Sequence, residues 1–422
     1  MLSCTVLFAQ AGEKSRGDYL TLKIAVIGPG DELYFWWGHI ALVVEDALSG
    51  QNRFYDYGVF DFQQDNFFVN FAFGRLTYYC AATAAEDNYN AYRAVNRDIT
   101  LYTLDLPAAV KEEVRLFAER NVLPENRDYS YHHFDDNCAT RIRDIIDMAA
   151  GGAFKEAFGQ APGRYTLRQH VRRHTWFNPF CDWLLNFLMG QGIDRPIAVW
   201  DEMFLPSEIG RRIEHFSYLD SAGGERKLVT QVEILNRAVN RPAVLEVPRK
   251  QWPRELAFSA GLSLILCLFM ALRKRARTAR TGRVLLGLGQ SCLGGFFGLA
   301  GSALFFMSFF TNHDYTYQNS NLLYANPLLL AAVPLGLIGL SQKPRRRFIA
   351  EQLLKALWTC VFLGGILSMA IKLFPGFYQQ NQVDQALILP VALTLSFIPR
   401  WIGRIFPRGR RPAAGREGAA GA

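Results

Sequence analysis

Residues 284–310 read VLLGLGQSCLGGFFGLAGSALFFMSFF, 27 positions without one charged side chain. As a helix this stretch rises roughly 40 Å, more than the roughly 30 Å of bilayer hydrocarbon. Cores of soluble proteins rarely hold so long an uncharged run, so the stretch predicts a membrane-spanning helix. Its neighbours read the same way. Leu256–Leu272, Leu322–Leu340, Leu353–Phe374 and Val383–Pro399 are further apolar runs, the last of them short for the purpose. The sequence therefore predicts an all-α transmembrane domain over 251–400, with spans near 256–272, 284–310, 322–340, 353–374 and 383–399.

The charges orient that domain. The chain carries a net charge of +8, but from Arg273 onward there are 18 Lys/Arg against four Asp/Glu, which leaves −6 for the residues before it. The basic residues lie between the apolar runs rather than on a soluble face, which argues against a nucleic-acid partner. Arg273–Arg283, Lys343–Arg347 and Arg400–Arg416 are basic, whereas Thr311–Asn321 and Pro375–Asp384 contain one Asp each and no Lys or Arg. Positive loops stay in the cytoplasm. The reading is a multi-pass protein of the inner (cytoplasmic) membrane, with residues 1–255 outside and a basic cytoplasmic tail at 401–422. Leu2–Ala11 ends in Ala9-Gln10-Ala11 and suggests a leader within 1–19, although a buried first strand reads similarly.

Residues 20–250 mix short β-branched runs with helical spacing. Leu20–Ile27, Ile40–Glu45, Arg53–Tyr57, Leu76–Ala81 and Ile99–Leu104 read as strands. Ala108–Asn121, started by Pro107, and Ala139–Ala150 read as helices, as do segments in Leu167–Arg173 and Trp183–Met189. Interleaved strands and helices over this length predict one α+β domain.

Two segments in it carry chemistry. In Trp36-Trp37-Gly38-His39 a histidine enters an apolar strand after an aromatic pair. In Asp136-Asn137-Cys138-Ala139-Thr140-Arg141 a cysteine opens a helix that Asn137 is suited to cap. Backbone N–H groups and the helix dipole there favour a thiolate, the nucleophilic form, and a neighbouring imidazole would complete an activated nucleophile. The ordinary alternatives are a structural histidine and a small buried cysteine. Cys80 and Cys181 stand in an oxidising compartment, where a disulfide is allowed. No Cys-x-x-Cys or Gly-rich phosphate loop occurs, so neither metal nor cofactor is expected.

His39 on an early strand, followed by Asn137-Cys138 on a later helix, reverses papain's order and resembles the permuted papain-like enzymes of the lecithin–retinol acyltransferase type. The segments Trp36–His39, Tyr55-Asp56-Tyr57-Gly58-Val59-Phe60-Asp61-Phe62 and Asp136–Asp144 are similar to the Lnb-type family, the lipoprotein N-acyltransferases of Bacteroidota. Thr311-Asn312-His313-Asp314, with Asn319, Asn321 and Asn326-Pro327, resembles that family's membrane half. The resemblance implies a periplasmic permuted papain-like domain in which an acyl chain from a phospholipid donor passes through a Cys138 thioester to the N-terminal amine of a lipoprotein acceptor. His39 would then shuttle protons, oriented by Asp56 or alternatively Tyr57. Trp36, Trp37, Tyr57, Arg141, His313 and Asp314 would be candidate contacts for these substrates. Two rival readings stay open, a papain-like thiol hydrolase of cell wall or phospholipid and a non-catalytic membrane assembly protein.

Overall fold

The computed structural model describes residues 14–61, 63, 66–220 and 223–397. The expected leader as far as residue 13, Phe62, Arg400–Arg416 and the tail 401–422 lie outside the described residues. Two compact units are present, Met1–Asp182 with Arg195–Pro248, and Trp183–Asp194 with Arg249–Ala422.

The first unit is built on a seven-stranded sheet. In chain order its strands are β1 (Leu20–Ile27), β2 (His39–Asp46), β3 (Gln51–Val59), β4 (Thr77–Ala84), β5 (Ile99–Leu104), β6 (Asp128–Ser130) and, after a small hairpin of β7 (Ser217–Leu219) and β8 (Glu225–Lys227), β9 (Val229–Asn236). They lie in the order β6-β4-β3-β2-β1-β5-β9, and every pairing is antiparallel. The apolar run Ile40–Val44 is legible in these terms. Period-2 alternation sends Ile40, Leu42 and Val44 into one core and Ala41 and Val43 into another on the opposite face, so the strand needs no polar positions.

Helices cover both faces. In chain order this stretch holds α1 (Phe67–Ala72), α2 (Ala85–Ala94), α3 (Ala108–Asn121), α4 (Cys138–Ala149), α5 (Ala153–Phe158), α6 (Leu167–Thr175), α7 (Pro179–Leu188), which passes into the second unit at Trp183, α8 (Val199–Glu202) and α9 (Pro206–Ile213). Val114 and Ala118 of α3 and Ile142, Ile145 and Ile146 of α4 join the core with Leu22, Leu42 and Tyr55. Ala85 and Tyr89 of α2 close the other face over Ala25, Ala41 and Phe54. This is the α+β arrangement expected from the sequence.

The second unit is helical. Its elements are α10 (Trp252–Leu272), α11 (Ala279–Phe310), α12 (Ala332–Ile338), α13 (Pro344–Ala370) and α14 (Gln382–Ser396). Among the described residues four runs are long and apolar enough to cross a membrane: Trp252–Leu272, Ala279–Phe310, Ser320–Ile338 and Pro344–Leu373. The fifth, α14, is shorter and contains Pro390. Close approach rather than bulk joins α11 to the segment after it. A Cβ on Gly294 would stand 2.2 Å from that of Ala332, the small-residue contact that lipid-embedded helices use.

The polar loop between α11 and α12 is not simply hydrated. Asn319 and Asn321 donate through their amides to the Phe187 carbonyl at 2.9 and 2.8 Å. Gln379 and Asn381 donate in turn to Asn319 Oδ1 at 2.9 Å and Asn321 Oδ1 at 2.7 Å. The asparagines of this run thus satisfy the Phe187 carbonyl at the end of α7 inside a helical unit, where an unpaired backbone carbonyl is costly.

Candidate active site

The thiol is set first. Asn137 is the N-cap of α4, extended in backbone and buried. Its Oδ1 accepts from Ala139 N at 2.8 Å and Thr140 N at 3.0 Å, while Thr140 Oγ1 accepts from Asn137 N at 2.8 Å. The Asn137 amide also donates to the carbonyls of His133 and Phe204 at 2.8 and 3.1 Å. Cys138 is thereby fixed as the first residue of the helix, half-buried and with a free thiol. Arg141 N goes to Asn137 O. Of the first N–H groups of α4, those of Ala139, Thr140 and Arg141 have acceptors, and that of Cys138 has no protein acceptor among the described residues.

The imidazole is set by the sheet. His39 opens β2 opposite Ile27, and Ile27 is also opposite Ile99 of β5. Gly38 makes this entry possible, with φ +82° and the Ile27 carbonyl oxygen 2.7 Å from where a Cβ would stand. Asp56 lies opposite Ala41 on β3 and so shares a face of the sheet with His39. His39 Nε2 is 2.9 Å from Asp56 Oδ1, with side chains 12% and 18% exposed. The contact engages Nε2 with the Asp56 carboxylate and is an ion pair when the imidazole is protonated. Asp56 Oδ1 accepts its own hydrogen bond from Gly58 N at 2.7 Å.

Electrostatics agree with that reading. Burial works to lower the His39 pKa, but the charges of Asp56, Tyr92 and Cys138 outweigh it and hold the imidazole well above its ordinary value. Burial works to raise Asp56, and the His39 charge, with the Gly58 N–H and Arg97, holds the carboxyl below its ordinary range. Cys138 is therefore within the electrostatic reach of the His39–Asp56 pair, and these three expected residues come together.

Gly58 matters for a reason the sequence does not announce. A Cβ there would lie 2.7 Å from His39 Cε1 and 3.2 Å from Nδ1. Gly58→Ala should therefore turn the ring off Asp56 and lower turnover by on the order of tenfold, because sub-ångström displacement of a reacting group is costly. Steady-state rates of the purified variant, compared at equal thermal stability, check this.

The other expected residues have different surroundings. Trp36 is buried, its Nε1 donating to the Asp31 carbonyl at 3.0 Å and its ring edge-on to Phe177 at 4.6 Å. Trp37 beside it is half-buried. Tyr57 is buried beside the Cys80 thiol, which burial pushes up to about 12. Arg141 forms a two-pronged pair with Asp136 at 2.6 and 2.8 Å and lies 4.3 Å over the Tyr129 ring. His313 and Asp314 belong to the second unit, where His313 is buried with Nδ1 2.8 Å from the Tyr315 hydroxyl and Asp314 is exposed. Cys80 and Cys181 are free. The disulfide the compartment would permit is not formed: Cys80 is buried on β4 against Tyr57, whereas Cys181 lies on α7.

Two further residues complete the environment, and sequence reading misses both. Tyr92, on α2, has its ring 6.3 Å from that of His39. Arg97, in the turn from α2 to β5, is 1% exposed and lies 5.0 Å from the Tyr92 ring and 4.6 Å from the Phe35 ring. An Arg between Asn96 and Asp98 reads as a solvated turn. Only the strand order, which puts β5 next to β1 and β1 next to β2, brings it to the site. A second histidine–carboxylate pair, His170 Nε2 to Glu202 Oε1 at 3.0 Å, is fully buried. Glu202 there also accepts the backbone N–H groups of Arg164 and Tyr165, which makes it an anchor for that turn.

Fold and site together define a membrane protein with an α/β domain that carries a thiol, an imidazole and a carboxylate in one cluster, followed by a helical membrane domain. Residues 8–173 match the family model described as the Lnb N-terminal periplasmic domain, and residues 257–396 match that of the Lnb transmembrane domain. The chain belongs to the Lnb family. No curated protein and no solved structure matches it.

Proposed function

We propose that this protein is a lipoprotein N-acyltransferase of the inner membrane, with its catalytic domain in the periplasm and its C-terminus in the cytoplasm. The observation that carries the proposal is the pairing of a helix-opening, free Cys138 with a His39 imidazole held at Nε2 by Asp56. With Nε2 so engaged, Nδ1 is the nitrogen that takes the thiol proton. Sγ then attacks the carbonyl carbon of a phospholipid ester. The oxyanion forms beside the Cys138 N–H, the donor that the cap leaves over. Collapse releases the lysophospholipid hydroxyl, protonated by His39, and leaves the acyl chain on Sγ as a thioester. The N-terminal amine of a diacylglyceryl-cysteine attacks that thioester, gives its proton to His39 and displaces the thiolate.

A lipid donor is favoured over a cell-wall peptide by the apolar rim of the same unit. Phe68, Val69 and Phe71 of α1 are 75%, 54% and 51% exposed. Phe67 on that helix stacks at 6.2 Å on Phe60, which stacks at 5.0 Å on Tyr78, and Tyr78 is within electrostatic reach of Cys138. Exposed apolar clusters of this kind mark membrane or ligand contacts.

The test is mass spectrometry of the N-terminal lipopeptide of one lipoprotein in a strain lacking lipoprotein N-acylation. A third acyl chain should appear with the wild-type protein and be missing with Cys138→Ala. Diacyl lipoprotein in both, with both proteins inserted in the membrane, would exclude transfer and favour a phospholipid or cell-wall hydrolase.

A further inference from the structure

Arg97 is a buried cation with no counter-ion of its own. Its Nε donates to the Gly28 carbonyl at 2.9 Å, and its guanidinium is flanked by the rings of Phe35 and Tyr92. Nη2 is buried without any hydrogen-bond partner, and no carboxylate lies within ion-pair distance, among the described residues. Fully buried arginines are rare unless paired, because an uncompensated charge in a protein interior is strongly destabilising. Aromatic faces and one carbonyl return part of that cost. The remainder must come from negative charge at longer range.

The groups around it identify that charge. Tyr92 of α2 adjoins both the guanidinium, 5.0 Å from its ring centroid, and the His39 ring, at a centroid distance of 6.3 Å. Asp56 of β3 and Cys138 of α4 both interact with Arg97 electrostatically. Glu32 acts on it from the loop before β2, and Arg241, the neighbouring cation, is itself paired with Asp31 at 2.7 Å.

We propose that Arg97 is a positioning residue that balances the charge of Asp56, so that Cys138 and His39 exchange their proton in a site of zero net charge. The proposal rests on Cys138 being the nucleophile. Asp56 and Arg97 cancel, and the neutral thiol–imidazole pair, the thiolate–imidazolium pair and the oxyanion–imidazolium pair then all leave the site neutral. Without Arg97 all three carry one net negative charge, and the uncompensated Asp56 carboxylate then opposes the thiolate and the oxyanion, the two states that place a further anion in the site. Arg97 acts through the field and does not touch the reacting atoms. Its loss therefore shifts a pH profile, whereas loss of a merely structural residue lowers rate at every pH alike.

The experiment is the pH dependence of Cys138 alkylation by iodoacetamide in the full-length protein in detergent, followed peptide by peptide by mass spectrometry. Arg97→Met should move the half-maximal pH upward by about one unit, about tenfold in rate on the acid side. Arg97→Lys should remain near the wild-type midpoint. Arg97→Gln keeps a donor for the Gly28 carbonyl and is read in place of Arg97→Met if that variant does not accumulate. An unchanged midpoint in both neutral variants, or an equal shift in Arg97→Lys, overturns the charge-balancing role while leaving the nucleophile intact. A wild-type Cys138 that alkylates at neutral pH no faster than Cys181 overturns the nucleophile itself, and the role of Arg97 with it.

Discussion

Cys138→Ala, His39→Ala and the double variant are expected to lose acyl transfer to the same floor, at least about 10³-fold below wild type. Each residue is useful only through the other. Without the imidazole, Sγ keeps its proton as it meets the ester and the leaving group finds no acid; without the thiol, the imidazole has nothing to activate. Effects of groups that act as a unit are strongly non-additive, so the double variant should fall no further than either single one. Transfer measured as acyl chain gained by a synthetic diacyl lipopeptide gives the three rates. A double variant lower than both singles by the product of their effects would mean that His39 and Cys138 act independently, and the thioester mechanism would fail. Cys80→Ala is the matched control, since that thiol is buried and held in its neutral form.

The sequence made the strongest patterns plain. Leu20–Ile27, Ile99–Leu104 and Ala108–Asn121 have the bounds expected of them, because each is an uninterrupted apolar or periodic run between turn residues. Asn137-Cys138 was legible because capping is a local property: the side chain that closes the helix end is adjacent to the thiol it positions. Weak elements stayed hidden. Of α2 only Ala85 and Tyr89 are buried, and of the edge strand β9 only Val229, so neither shows much periodicity. Their absence from the reading explains the absence of Tyr92 and Arg97, whose place depends on strand order rather than on local residue type. Asn319 and Asn321 drew notice only through the likeness to the family's membrane half, and what their amides do, holding the Phe187 carbonyl and the Gln379 side chain within the helical unit, depends on residues far away in the chain.

Asp56→Asn separates charge from orientation. The asparagine keeps an acceptor beside His39 Nε2 and for the Gly58 N–H, but removes the charge that holds the imidazole above its ordinary value. Burial then prevails and the imidazolium is lost at lower pH. The alkaline limb of the rate profile should move down, opposite in sign to the shift expected for Arg97→Met, and turnover at neutral pH should fall about 10²-fold. Stability carries the same signature. The depressed Asp56 contributes above the ordinary carboxylate value, about pH 4, and loses its contribution as pH falls. The raised His39 contributes fully below about pH 6.5 and loses its contribution as pH rises through its folded value. The pair therefore stabilises the fold most between those limits. Thermal unfolding of the full chain should show the largest difference between wild type and Asp56→Asn near pH 5–6, shrinking as pH rises through the folded His39 value. A difference independent of pH would mean that Asp56 packs against His39 without charging it, and Tyr57 would then be the group to examine as its partner.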